Sequence, residues 1–182
     1  MNTNRDQRLE AAPLGVRFLW RGDRYAHEIW LLDGARWMRA LESVEGSPDD
    51  DWPASPPFQS LSVERSGEGR PLALLVGMAG KSHWSASAEI DPVVPCVRFD
   101  VACRVRDLRA GPLGSAYRRV LDGSHGDSDR FPLEIEAAQQ VGPAQLAREG
   151  LVLKIAAVPP LPDAAPRTIR WGYCLRLGGR EQ

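Results

Sequence analysis

Residues 83–105 read His83-Trp84-Ser85-Ala86-Ser87-Ala88-Glu89-Ile90, then Asp91-Pro92-Val93-Val94-Pro95-Cys96, then Val97-Arg98-Phe99-Asp100-Val101-Ala102-Cys103-Arg104-Val105. In the first run the even positions are apolar and the odd positions carry His83, Ser85, Ser87 and Glu89. In the last run the odd positions are apolar and the even ones carry Arg98, Asp100 and Arg104. Successive side chains of a strand point to opposite faces, so this two-residue rhythm marks strands with one buried face. The short connection around Asp91-Pro92 makes the pair a hairpin. Matching oily faces to each other sets the register. Ser85 is then expected opposite Asp100 and Ser87 opposite Arg98, with His83 diagonal to Asp100. Trp84, Ala86 and Ala88 would meet Val101, Phe99 and Val97.

The same rhythm extends outward. Residues 14–20 and 25–32 alternate around the turn Arg21-Gly22-Asp23-Arg24, and Asp33-Gly34 leads to a third strand over 36–41. Further strands are expected over 58–64, 72–78, 133–137, 151–158 and 168–177. Leu72-Ala73-Leu74-Leu75-Val76 is apolar on both faces, which predicts a central strand covered on both sides and a sheltered polar face on its neighbour. Residues 43–57 form a loop, because four prolines forbid both helix and ladder. A polar loop is expected over 122–129 and a stiff connector over 159–162. A short helix is expected over 113–121, a helical turn over 143–149 and a polar tail over 1–13. About ten short strands with one or two short helices define one all-β domain over 14–182. The architecture is an antiparallel β-sandwich, with a closed β-barrel as the alternative.

Composition agrees. The 182 residues include 17 glycines and 15 prolines, punctuation that suits short strands and turns. Lys plus Arg number 23 against 24 Asp plus Glu, a net charge of −1, so no charge excess draws the chain to nucleic acid or an anionic membrane. No apolar run reaches the ~18 residues of a membrane span. Of the basic residues only Lys81 and Lys154 are lysine; the arginines are spread along the chain and read as compositional bias. Cys96, Cys103 and Cys174 are odd in number and lack C-x-x-C spacing, which argues against both a disulfide framework and a zinc site. The polar start offers no export signal, so the cytoplasm is the expected compartment.

Several motifs fall short of their chemistry. Leu75 to Ser82 ends in Gly-Lys-Ser but has Leu75 where a P-loop needs glycine, and a strand follows where a helix should open. Ser85, His83 and Asp100 suggest a triad. However, residues two apart on a strand have Cα atoms ~6.7 Å apart, and no G-x-S-x-G elbow exposes a serine. Asp49-Asp50-Asp51 does not match a calcium loop. Asp122, Asp127 and Asp129 with His125 form a weak hard-cation candidate, and no metal or cofactor is expected. Arg21-Gly22-Asp23 reads as a hairpin turn. Trp20, Trp37, Trp84 and Trp171 lie on apolar faces and read as core. Trp52 lies in the acidic Pro-rich loop and is the candidate for ligand contact or, equally, a loop anchor.

These residues suit two competing functions. The first is a non-catalytic module binding a small molecule or a protein through Trp52, Arg98, Arg104 and His27. The second is an enzyme of hydrolase or isomerase type, with His83, Asp100 and Ser85 as catalytic candidates and the arginines holding an anionic small molecule. A homodimer through edge strands is a third expectation. A concave pocket joining His83, Asp100 and Arg104 would favour the enzyme; a flat or packed face would favour the module.

Overall fold

A computed structural model of the chain describes residues 5–106, 111–120, 133–158 and 167–178. Among these, thirteen strands and no helix build two antiparallel sheets stacked as a sandwich. The strands are β1 (Gln7–Ala11), β2 (Leu14–Trp20), β3 (Tyr25–Asp33), β4 (Arg36–Ser43), β5 (Phe58–Arg65), β6 (Pro71–Ala79) and β7 (Ser82–Asp91). They continue as β8 (Cys96–Val105), β9 (Gly114–Arg119), β10 (Leu133–Ala137), β11 (Ala144–Glu149), β12 (Val152–Ala157) and β13 (Arg167–Leu177). One sheet has the order β1-β2-β3-β4-β9-β12-β11 and the other β10-β13-β8-β7-β6-β5. The sheets do not close into a barrel. No helix among the described residues is long and apolar enough to cross a membrane.

Alternation places the core between the sheets. Phe18, Ile29, Leu41 and Tyr117 from one sheet meet Leu75, Phe99, Trp171, Tyr173 and Leu175 from the other, all buried. Phe99 stacks on Tyr173 with ring centroids 5.0 Å apart. Trp84 and Trp171 are buried as expected, whereas Trp37 lies half-buried on the outer face, where Gly15 leaves room for its ring.

Four expectations are corrected. The helix placed over 113–121 is instead β9 across its described part: Ser115 and Tyr117 face inward, and β9 fills the gap between β4 and β12. The helical turn over 143–149 is β11, paired with β12 through a turn at Gly150, where φ is +60°. Within the stretch expected as a tail, β1 pairs with β2 and buries Leu9, one apolar residue being too faint a pattern to read. Finally, β6 lies between β5 and β7 but is bare outside: Leu74, Val76 and Met78 are 41%, 53% and 46% exposed. The apolar run comes from a strand with one core face and one oily solvent face. The loop over 122–129, with His125 and its aspartates, and the connector over 159–162 lie outside the described residues.

Residues 44–57 carry the chain from β4 in one sheet to β5 in the other. Ser55 Oγ accepts a hydrogen bond from the Ala116 amide and donates one to its carbonyl, both at 3.1 Å. Trp52 packs beside Trp84 with centroids 6.0 Å apart. At Gly77 a side chain is forbidden, because a Cβ there would fall 1.9 Å from the Pro57 carbonyl oxygen.

Candidate functional site

The outer face of the six-stranded sheet carries the residues of the opening stretch. The observed register is offset by two residues from the expected one: His83 lies opposite Arg104, Ser85 opposite Ala102, Ser87 opposite Asp100 and Glu89 opposite Arg98. An offset of two keeps every side chain on its face while changing every partner. His83 is therefore four residues of ladder away from Asp100, not diagonal to it. Asp100 instead accepts a hydrogen bond from Arg170 Nη2 at 2.6 Å. His83 and Ser85 are exposed, not sheltered. Among the described residues no hydrogen bond joins His83, Ser85 and Asp100, so the three do not form a nucleophile–base arrangement.

What this face does form is an open groove of about 580 Å³. Two cross-strand rows build it. Met78, His83, Arg104 and Thr168 form one row, and Val76, Ser85 and Ala102 form the next. Gly77, Ser85 and Ala102 are small and make the floor, while Met78, His83 and Arg104 rise beside it. On the β5 side, Gln59 is fixed by a pair of bonds: its Nε2 donates to the Met78 carbonyl at 2.8 Å and its Oε1 accepts from the Met78 amide at 2.9 Å. This side chain replaces the ladder where β5 slips register between Phe58 and Ser60. Arg104 is exposed and makes no ion pair among the described residues. Arg98 is also exposed but lies outside the groove, opposite Glu89. Trp52 is half-buried, and a Cβ on Gly111 would come within 3.1 Å of its own Cβ, so the indole is wedged against the body.

His27 is in neither place. It is 3% exposed, inside the sandwich, where its Nε2 meets Tyr117 Oη at 2.7 Å. Tyr117 Oη in turn meets Tyr173 Oη at 2.7 Å, and Trp171 Nε1 donates to Ser115 Oγ at 3.2 Å. Burial drives the His27 pKa down to about 4, so the imidazole is neutral at physiological pH. Burial also raises both tyrosines above the ordinary range. A strip of polar groups thus crosses the core with its hydrogen bonds made internally.

The strip ends at a corner beneath residues 44–57. The His27 amide donates to Ser43 Oγ at 2.8 Å, and Ser43 Oγ donates to Glu45 Oε1 at 2.5 Å. Arg24, 3% exposed, donates from Nε to Asp23 at 2.7 Å and from Nη2 to the Ser47 carbonyl at 2.9 Å. Among the described residues, Arg24 Nη1 and Glu45 Oε2 are buried atoms here without a hydrogen-bond partner. Burial raises the Glu45 pKa to about 7, against the opposing pull of Ser43 and Arg24.

Sequence reasoning did not find this strip. A signal existed for His27, which shares its side of β3 with Tyr25, Ile29 and Leu31. None existed for Glu45, which lies outside any strand. Among the described residues no cluster of His, Cys, Asp and Glu could hold a metal ion, and the three cysteines are free and buried. No protein-family description, curated protein or solved structure matches this chain.

Proposed function

We propose that the protein is a non-catalytic binding module whose ligand lies in the groove on the outer face of β5–β8. The observation that carries this reading is an Arg104 with no ion pair among the described residues, set beside bare Val76 and Met78 around a floor of small side chains. An anionic group on the ligand would meet the Arg104 guanidinium, and an apolar body would cover Val76 and Met78. A small amphipathic anion, or a protein segment with a carboxylate beside an apolar side chain, has that chemistry. The enzymic alternative asks for His83 and Asp100 within reach of each other, and the ladder holds them apart. The free cysteines suit a reducing compartment, and we place the protein in the cytoplasm on that ground.

The test uses the anionic fluorophore anilinonaphthalene sulfonate, titrated into the wild type and into Arg104→Ala, Val76→Ser and Leu146→Ser. An exposed charge contact contributes about 1 kcal/mol, so Arg104→Ala is expected to weaken binding roughly five-fold. Val76→Ser should weaken it also. Leu146→Ser, at an exposed apolar site on β11, should leave it unchanged. Equal affinities in all four proteins would remove the groove as the binding site.

A further inference from the structure

We propose that Glu45 is a proton-operated latch for residues 44–57, holding that crossover against the sandwich when its carboxyl is neutral and releasing it when the carboxyl ionises. The geometry of the corner carries this. Glu45 is the second residue of the crossover, and its Oε2 is enclosed with no hydrogen-bond donor among the described residues. A neutral carboxyl tolerates that enclosure far better than a carboxylate does. The groups that face it come from every neighbouring element. Arg21, Asp23 and Arg24 lie on the β2–β3 turn, Ser43 on β4, Tyr117 on β9 and Tyr173 on β13. The nearest cation in this set that is itself buried, Arg24, already spends Nε on Asp23 and Nη2 on the Ser47 carbonyl. Its Nη1 has no hydrogen-bond partner among the described residues.

The next residues transmit the change. A Cβ on Gly46 would collide with Pro53 and with the Asp50 carboxylate, so the chain after Glu45 is folded tightly on the rest of the crossover. The Asp50 carboxylate accepts from the Ser47 amide at 2.7 Å. Moving Glu45 therefore moves the segment that carries Trp52. Opening returns the carboxyl to its ordinary pKa of 4.5 from about 7, so the opening equilibrium must rise with pH. That linkage gives about ten-fold more opening at pH 8 than at pH 6, and roughly seventy-fold more than at pH 5.

Hydrogen exchange of the full chain, with each rate divided by the intrinsic rate at its pH, tests the latch. The protection of 44–57 should fall by those factors in the wild type and stay constant in Glu45→Gln, while amides of β8 change little in the wild type. Constant protection in the wild type, or an equal fall in the variant, would overturn the proposal. A carboxyl-carbon NMR titration of wild-type Glu45 covers the case in which the variant folds poorly. A midpoint near 7, shared by amide shifts in 44–57, supports the latch, and one near 4.5 sinks it.

Discussion

Replacing Glu45 by Gln fixes the corner side chain in an uncharged form of nearly equal shape, and its effect on global stability depends on a second titrating group, the buried His27. The folded pKa of His27 is about 4, below its ordinary 6.5. Its stabilisation is therefore fully present above pH ~6.5 and is lost as the pH falls toward 4, by at most about 3 kcal/mol at 1.36 kcal/mol per unit. Glu45 runs the opposite way. Its folded pKa is about 7 against 4.5, so its stabilisation is full below pH ~4.5 and is lost as the pH rises through 7, again by at most about 3 kcal/mol. The two losses offset. Together they leave the wild type nearly flat between pH 4 and 8. The lowered pKa of Asp91 acts below that window. In Glu45→Gln only the His27 slope remains, so the variant should lose about 3 kcal/mol on acidification from pH 8 to pH 4. Relative to wild type it should gain stability at pH 8 and be equal to it near pH 4. Urea unfolding followed by tryptophan fluorescence at five pH values measures this. A variant as flat as the wild type, or a wild type that itself declines steeply toward pH 4, would refute the offset.

Other substitutions probe the surrounding packing. Tyr117→Phe keeps the ring but strands His27 Nε2 and leaves Tyr173 Oη with Ser115 alone, at about 1–3 kcal/mol for a buried group left unpaired, and should lower Tm by several degrees in a calorimetric scan. Gly77→Ala drives a methyl into the Pro57 carbonyl, and overpacking against backbone should cost roughly 3 kcal/mol or more in urea unfolding. Trp52→Ala removes an indole wedged between Trp84 and Gly111, so Tm should fall even where fluorophore binding to the groove is unaltered. Retained Tm with lost fluorophore binding would make Trp52 a ligand contact instead.

The site was only partly readable in the residues. His83, Ser85 and Arg104 were placed on one polar face by parity alone, and they do line the groove. Asp100 shares that face but belongs to a different row, engaged by Arg170 from a strand distant in sequence. Val76, Met78 and Gln59 join the groove through β5 and β6, and the doubly apolar pattern of β6 concealed that one of its faces is open to water. His27 is a contact candidate on chemical type, yet its strand parity points it into the core.

By itself the sequence determined which side of each ribbon is oily, and hence that the chain is all-β and layered. That follows from a local property: successive side chains alternate whatever the strand pairs with. Only the tertiary structure decided the partners. Offsets of two residues preserve the alternation, so face matching cannot distinguish Asp100 from Ala102 as the residue across from Ser85. The buried corner of Arg24 and Glu45 needed more still, since it is assembled from a turn, a crossover and two sheets that meet only when the sandwich closes.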